Sequence, residues 1–537
     1  MVAGPARIAV EEAVSVLRQG GNAVDAAVTM AFVLAVTHPQ AGNLGGGGYM
    51  LIRSASGDLT VIDYRETAPA AASRDMFLDE KGDVIPRLSL DTHRAAGVPG
   101  TVAGMALALE THGTRSFATV LSPAIRLARE GFRADRGLEE ALDSELERVA
   151  KSASFRRSFF KGTAPLREGD LLVQEDLART LETLSYGGPA AFYKGRIARD
   201  LAADMKANGG LITAEDLASY KPIVRAPLTG AYRSFHVVSA PPSSSGGAIL
   251  LQILNMLEPF DLRLLGHNSS AYIHLVSEAM KRAFADRSRW LGDPEFIQVP
   301  LKGLLARDYG ASLMKGFDPD RATPASGAGP GDPTRFEKDQ TTHFSIVDAG
   351  GMVVSNTYTL NDSFGSGIVA SGLGFLLNNE MDDFSLKPGV PNLYGLVGSE
   401  ANSVAAGKRM LSSMAPTIVL RQEGSRALPF LVLGTPGGSG IPTAVLQVLL
   451  NILEFDMELQ EAVDAPRFHH QWLPDQIRLE AGGFAADVQE ALRKRGHSLA
   501  QKDSRVTGDV QAILVDRKAQ WLFGASDARG HGVARGH

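Results

Sequence analysis

The sequence predicts a mixed α/β (α+β) chain with a large apolar core, and three observations carry that expectation. The longest apolar stretch, Ala23 to Val36, follows Asn22 and reads as a buried helix capped by that asparagine, with Asp25 its single charge. Phe344 and Ile346 alternate with Ser345 and Val347, and beyond a turn at Asp348 to Gly351 a second β-rich run spans Val353 to Leu360, so the two runs read as a hairpin. Apolar residues make up 44% of the 537, enough to fill a large interior.

Taken in order, the elements bound what the chain can be. The start, Met1-Val2-Ala3-Gly4-Pro5, has no charged segment followed by an apolar core, so no signal peptide is visible. Ala23 to Val36 is too short to span a bilayer. Pro241-Pro242-Ser243-Ser244-Ser245-Gly246-Gly247 precedes an apolar run and predicts a turn opening into a helix. Residues 317–340, with Asp318-Pro319-Asp320, Pro324, Ser326 to Gly331 and Asp332-Pro333, predict a solvated, mobile linker. In the hairpin, a three-residue loop pairs Asp348 with Met352 and, counted outward, Thr341 with Thr359; a two-residue loop pairs Thr341 with Tyr358 instead.

Several function classes are excluded or left without support. A formal net charge of −6 gives no reason to expect nucleic acid or an anionic membrane as partner. There is no cysteine, hence no disulfide and no thiolate chemistry, which suits a cytoplasmic or a periplasmic home alike. Gly45 to Gly48 lacks the Lys-Ser/Thr of a phosphate loop. His469-His470, His531 and His537 show no metal-ligand spacing, so neither metal nor cofactor is expected.

The run Asp339-Gln340-Thr341-Thr342-His343 carries the chemistry. A threonine hydroxyl is a weak nucleophile at neutral pH unless a base adjoins it, and a threonine at a chain's own N-terminus has its α-amine as that base. Cleavage of the Gln340 to Thr341 bond would create such a terminus.

With these residues in view, the chain resembles the γ-glutamyltranspeptidases, or glutathione hydrolases, of the N-terminal nucleophile hydrolase superfamily. The resemblance runs through Gly20 to Ala27, Thr37 to Gly48, Asp63-Tyr64-Arg65-Glu66-Thr67-Ala68-Pro69 and Thr341-Thr342-His343. It continues through Asn378 to Phe384 and Leu411 to Thr417 and reaches Gly434-Thr435-Pro436-Gly437-Gly438. It implies one integrated four-layer αββα sandwich with two stacked, mainly antiparallel sheets. It also implies a precursor that cuts itself into a large subunit, 1–340, and a small subunit, 341–537, both required for activity.

The resemblance assigns roles residue by residue. Thr341 would be both the autocleavage residue, with Gln340 before it, and the nucleophile; Thr359 is the family's second threonine. Arg65, with Ser412 and Ser413, would bind the substrate α-carboxylate, a guanidinium fork being suited to two parallel hydrogen bonds. Asn361, Glu380 and Asp383 would bind its ammonium, Glu380 standing where some bacterial relatives have glutamine. Gly437 and Gly438 would present backbone N–H groups to the oxyanion, and Tyr394 would sit in a lid over residues 387–408. The implied donor is glutathione or another γ-glutamyl compound, the acceptor water, an amino acid or a peptide, and the location periplasmic or secreted. Two alternatives stand beside it: a glutaryl-cephalosporin acylase on the same scaffold, and an inactive binding homologue.

Overall fold

The computed structural model describes residues 1–335, 347–424, 426–502 and 508–536. The expected helix forms over Ala23–Thr37 (α1), and every one of its residues is buried. Its start is a capping box: the Asn22 side chain accepts from Val24 and Asp25 N–H, while the Asp25 carboxylate accepts from the Asn22 N–H at 2.8 Å. Asp25 also accepts from Thr114 N and Oγ1 and from Arg115 N, so its charge sits among donors rather than against hydrocarbon. Replacing Asn22 by alanine is expected to cost about 1–2 kcal/mol, read from the urea midpoint, because the cap and its 2.6 Å bond to His112 O are lost together.

Two antiparallel sheets follow from the strands Gly47–Arg53 (β1), Leu59–Asp63 (β2), Ile223–Arg225 (β3), Leu228–Tyr232 (β4), Phe235–Ser239 (β5) and Val353–Thr359 (β6). They are completed by Thr417–Glu423 (β7), Arg426–Gly434 (β8), Gln511–Asp516 (β9) and Trp521–Ser526 (β10). One sheet has the order β6-β1-β2-β3 and the other β10-β9-β8-β7-β5-β4. All of β1 is buried, as expected of a strand covered on both faces. Opposite Pro429, which has no N–H to pair, the ladder between β7 and β8 shifts register at Val419/Leu420.

The sheets meet where Ser355 Oγ of β6 approaches Leu433 O of β8 at 3.5 Å. Helices α1 and Thr101–His112 (α2) pack against the smaller sheet. Gly246–Leu257 (α3), Ser270–Trp290 (α4) and Ile441–Leu453 (α5) form the layer on the other side, α3 and α5 against the larger sheet and α4 against α3. This is the four-layer αββα arrangement, and one continuous apolar core runs through it.

The hairpin turn has the three-residue form at its base. Asp348 N donates to Met352 O at 2.9 Å and Val347 pairs with Val353. Thr341 and Gln340 lie outside the described residues, and with them the pairing counted for Thr341. The segment preceding them departs from the free linker that its composition predicts. Residues 317–335 are pinned along their length: Asp318 O accepts from the His274 ring at 2.8 Å, Ala325 N donates to Asp475 at 2.7 Å, and Gly331 N donates to Asp286 at 2.7 Å. Trp472 and Trp290 indoles donate to Ala325 O and Gly331 O. Glycine and proline prevent regular structure there, but they leave backbone groups free for side chains of the body to capture.

Candidate active site

Arg65 follows the end of β2 and is completely buried. Its Nη1 lies 2.6 Å from Glu380 Oε2 and 3.5 Å from Glu66 Oε2, its Nη2 2.5 Å from Asp383 Oδ2, and its Nε donates to Met410 O at 3.3 Å. The arginine expected to take the substrate carboxylate is thus paired with the carboxylates expected to take its ammonium. Arg287 of α4 is the second buried cation here, its Nε donating to Ser245 Oγ at 3.1 Å. Burial pulls its pKa down to about 10, against the pull of Asp383.

The charge count is informative. Glu66, Glu380 and Asp383 face Arg65 and the more distant Arg287, so one negative charge is in excess even with both cations counted. Burial pushes Glu66 up to about 7, against the opposing pull of Arg65. Burial likewise raises Glu380 and Asp383, Arg65 again opposing. Glu380 is fully buried, and its charge is met by the Arg65 guanidinium at 2.6 Å, which Asp383 and Glu66 share. Three buried carboxylates that share one guanidinium are costly to keep charged together, and either a proton or an incoming cation relieves them.

Asn361 stands just past β6 in the left-handed region, φ 79°. Its N–H donates to Thr359 Oγ1 at 2.9 Å and its Nδ2 to Asn379 O at 3.0 Å, which leaves Oδ1 without a donor among the described residues. Thr359, the last residue of β6, therefore already orients the loop that carries Asn361. Ser412 is held by its backbone: its N–H donates to Ser243 O, and its carbonyl accepts from Ser245 N and Oγ. Ser412 Oγ accepts from Met414 N at 3.1 Å, and the Ser413 hydroxyl has no partner among the described residues.

Gly437 and Gly438 have φ of 135° and 56°, conformations that L side chains rarely adopt, and they lead into α5 through Gly440. The Tyr394 ring closes over them, so that a Cβ on Gly438 would lie 2.5 Å from its Cδ1. The Tyr394 hydroxyl donates to Asn361 O at 2.6 Å. Tyr394 therefore spans from the glycine turn to the loop beside the acidic group. Gly438→Ala is expected to lower kcat on the order of 10²-fold, because the side chain displaces either the donor turn or the tyrosine; steady-state kinetics on the cleaved protein checks it.

Ser243 to Ser245 open a helix, as their sequence predicts, and also form the ledge under Ser412. Glu66, Arg287 and Gln471 join the site without a sequence signal of their own, although Glu66 adjoins Arg65 and Gln471 follows His469-His470. A buried group of metal-ligand type, His274, Glu278 and His497, also exists. It does not suit an ion: Glu278 pairs with Lys281 and Arg282, and the two imidazoles hydrogen-bond each other at 2.7 Å.

Comparison with known proteins shows the family. The chain matches the family described as Gamma-glutamyltranspeptidase over residues 9–537. It is 49% identical over 530 residues to the "Glutathione hydrolase proenzyme" of Escherichia coli (strain K12), covering 98% of this chain and 90% of that relative. A solved γ-glutamyltranspeptidase from Helicobacter pylori superposes with TM-score 0.60 at 45% identity, covering 62% of this chain and 96% of that one. A cephalosporin acylase from Bacillus halodurans superposes with TM-score 0.86 at 26% identity, covering 100% of this chain and 96% of that one. A full-length match to that family, on an αββα body with a buried arginine facing surplus carboxylates beside a glycine turn, means that this chain belongs to the γ-glutamyltranspeptidase family.

Proposed function

We propose that this protein is a self-processing γ-glutamyl acyltransferase and hydrolase whose nucleophile is Thr341. The observation that carries the reading is the excess of buried carboxylates around Arg65, where Glu66, Glu380 and Asp383 share one guanidinium. A γ-glutamyl group brings an ammonium to that excess and a carboxylate to Arg65, Ser412 and Ser413. A glutaryl group brings only the carboxylate and adds to the repulsion, which disfavours the acylase alternative.

In the reaction, the Thr341 hydroxyl attacks the γ-carbonyl while its proton passes to the Thr341 α-amine. The negative charge moves to the former carbonyl oxygen, where the Gly437 and Gly438 N–H groups would receive it. Collapse expels the leaving amine, which takes the proton, and leaves a γ-glutamyl ester on Thr341. Water or the amine of an acceptor then attacks the ester and regenerates the hydroxyl. Tyr394 and its lid exclude water from the turn and so favour the amine acceptor. The same hydroxyl, attacking the Gln340 carbonyl first, breaks the Gln340–Thr341 amide, frees the α-amine and forms an ester; water hydrolyses that ester to the Gln340 carboxylate and the Thr341 hydroxyl, and fragments 1–340 and 341–537 then act together.

Denaturing electrophoresis with N-terminal sequencing tests the processing; a smaller fragment beginning at Thr341 is expected, and a cut elsewhere overturns the assignment. Hydrolysis of γ-glutamyl-p-nitroanilide is expected to exceed that of glutaryl-p-nitroanilide by at least about 10-fold, from one charge-assisted contact. The reverse ranking favours the acylase. Among the described residues, no helix is long and apolar enough to cross a membrane. A periplasmic or secreted home is part of the same proposal, tested by cell fractionation.

A further inference from the structure

We infer that Gln471 is a positioning residue that joins the lid to the oxyanion turn, so that closure of one sets the other. The inference rests on the proposed γ-glutamyl transfer and concerns a side chain outside the substrate contacts. Gln471 is buried, with 4% of its surface exposed, in a loop after Phe468-His469. Its amide is divided between two parts of the site. Nε2 donates to Gly395 O at 2.9 Å and Tyr394 O at 3.1 Å in the lid, and reaches Leu473 O of its own loop at 3.2 Å. Oε1 accepts from Ser439 Oγ at 2.9 Å and from the His469 ring at 3.0 Å.

The chemistry of these partners fixes the amide's orientation. Carbonyl oxygens only accept, so the nitrogen must face the lid, and the oxygen then faces the Ser439 hydroxyl. Ser439 directly follows Gly438 in the turn that precedes α5. His469 extends the link into that helix, since its Nδ1 lies 2.8 Å from Thr443 Oγ1. One planar group thus touches the residue that covers Gly438 and the residue that follows it. On its other flank the lid is tied independently: the Leu393 N–H donates to Asp382 at 2.9 Å, and Asp382 also accepts from Ser89 at 2.7 Å. Of these hydrogen-bonded anchors, the one through Gln471 reaches Ser439 in the turn, beside the direct packing of the Tyr394 ring on Gly438.

The test uses self-cleaved protein and two readouts: kcat for γ-glutamyl-p-nitroanilide, and the ratio of transfer to a dipeptide acceptor over hydrolysis. Gln471→Glu presents an oxygen to the lid carbonyls, whereas Ser439→Ala removes the link on the turn side. Each is expected to lower both readouts, kcat by about 10-fold and the ratio by about 5-fold, with KM for the donor within about 2-fold. The double variant is expected to be no worse than the more affected single one, because both cut the same bridge. Additive effects, with Gln471→Glu altering only the ratio and Ser439→Ala only kcat, overturn the inference. A change confined to melting temperature overturns it too. Should Gln471→Glu fail to self-cleave, Gln471→Leu is held to the same outcomes. Absence of turnover by the unaltered protein removes the proposed function and this inference together; turnover by it with unaffected variants removes this inference alone.

Discussion

A Thr341→Ala chain is expected to stay a single 537-residue species and to show turnover reduced on the order of 10⁴-fold or more, the scale seen when an acyl-transfer nucleophile is deleted. The reasoning is chemical. The alanine methyl cannot form an ester, so neither the Gln340 carbonyl nor a γ-glutamyl carbonyl has an attacking atom. Loss of one oxyanion donor costs about 10²- to 10³-fold by comparison, so the nucleophile should dominate every other single change at the site. Electrophoresis after prolonged incubation and a sensitive p-nitroaniline assay check the two halves separately. Detectable cleavage at position 341 together with undiminished turnover would falsify the assignment. Unchanged thermal melting of the uncut chain would show that the loss is chemical rather than a failure to fold.

The second large effect concerns the acidic group. Asp383→Asn and Glu380→Gln are each expected to raise KM for γ-glutamyl-p-nitroanilide by about 10- to 100-fold, the worth of one charge-assisted hydrogen bond. Both should change kcat less, because the ammonium is held alike in ground and transition states. Each also removes an ion pair to Arg65, 2.5 Å from Asp383 and 2.6 Å from Glu380, so the two effects should be of similar size. Acid has the same direction. Glu66, raised to about 7 by burial, gains a proton as pH falls through that value, and the pull on an ammonium weakens. KM for the γ-glutamyl donor should therefore rise below pH about 7, while that for the glutaryl analogue should not. Stability moves with the opposite sign. A carboxyl whose folded pKa lies near 7 and whose ordinary value is 4.5 contributes stability that is complete below 4.5 and lost as pH rises through 7. The melting temperature of Glu66→Gln should accordingly gain on the parent across that window.

Particular residues show how far the sequence could be read. Asn22 announced the cap and the apolar run announced the buried helix, because both signals are local; the reciprocal bond to Asp25 that completes the capping box emerged only in the structure. The hairpin loop was legible to within two registers, and Val347 against Val353 selects the three-residue form. Residues 317–335 read as a linker because composition registers the absence of regular structure. It cannot register that Lys281, Asp286, Trp290 and Asp475 wait elsewhere to capture the backbone. Gln471 was invisible for the same reason: a lone glutamine has no spacing signature, and its importance lies in which carbonyls surround it.

The sequence by itself determined the family, the residue types available at the site and the chemistry of a threonine at a chain terminus, since these depend on covalent identity and local order. Only the tertiary structure decided the electrostatics. Residues 65, 66, 287, 380 and 383 are scattered along the chain, and the balance between their attraction and desolvation exists only once folding has removed water from all of them together. That balance is what leaves three buried carboxylates sharing the Arg65 guanidinium, a state of charge that a linear order of residues does not contain.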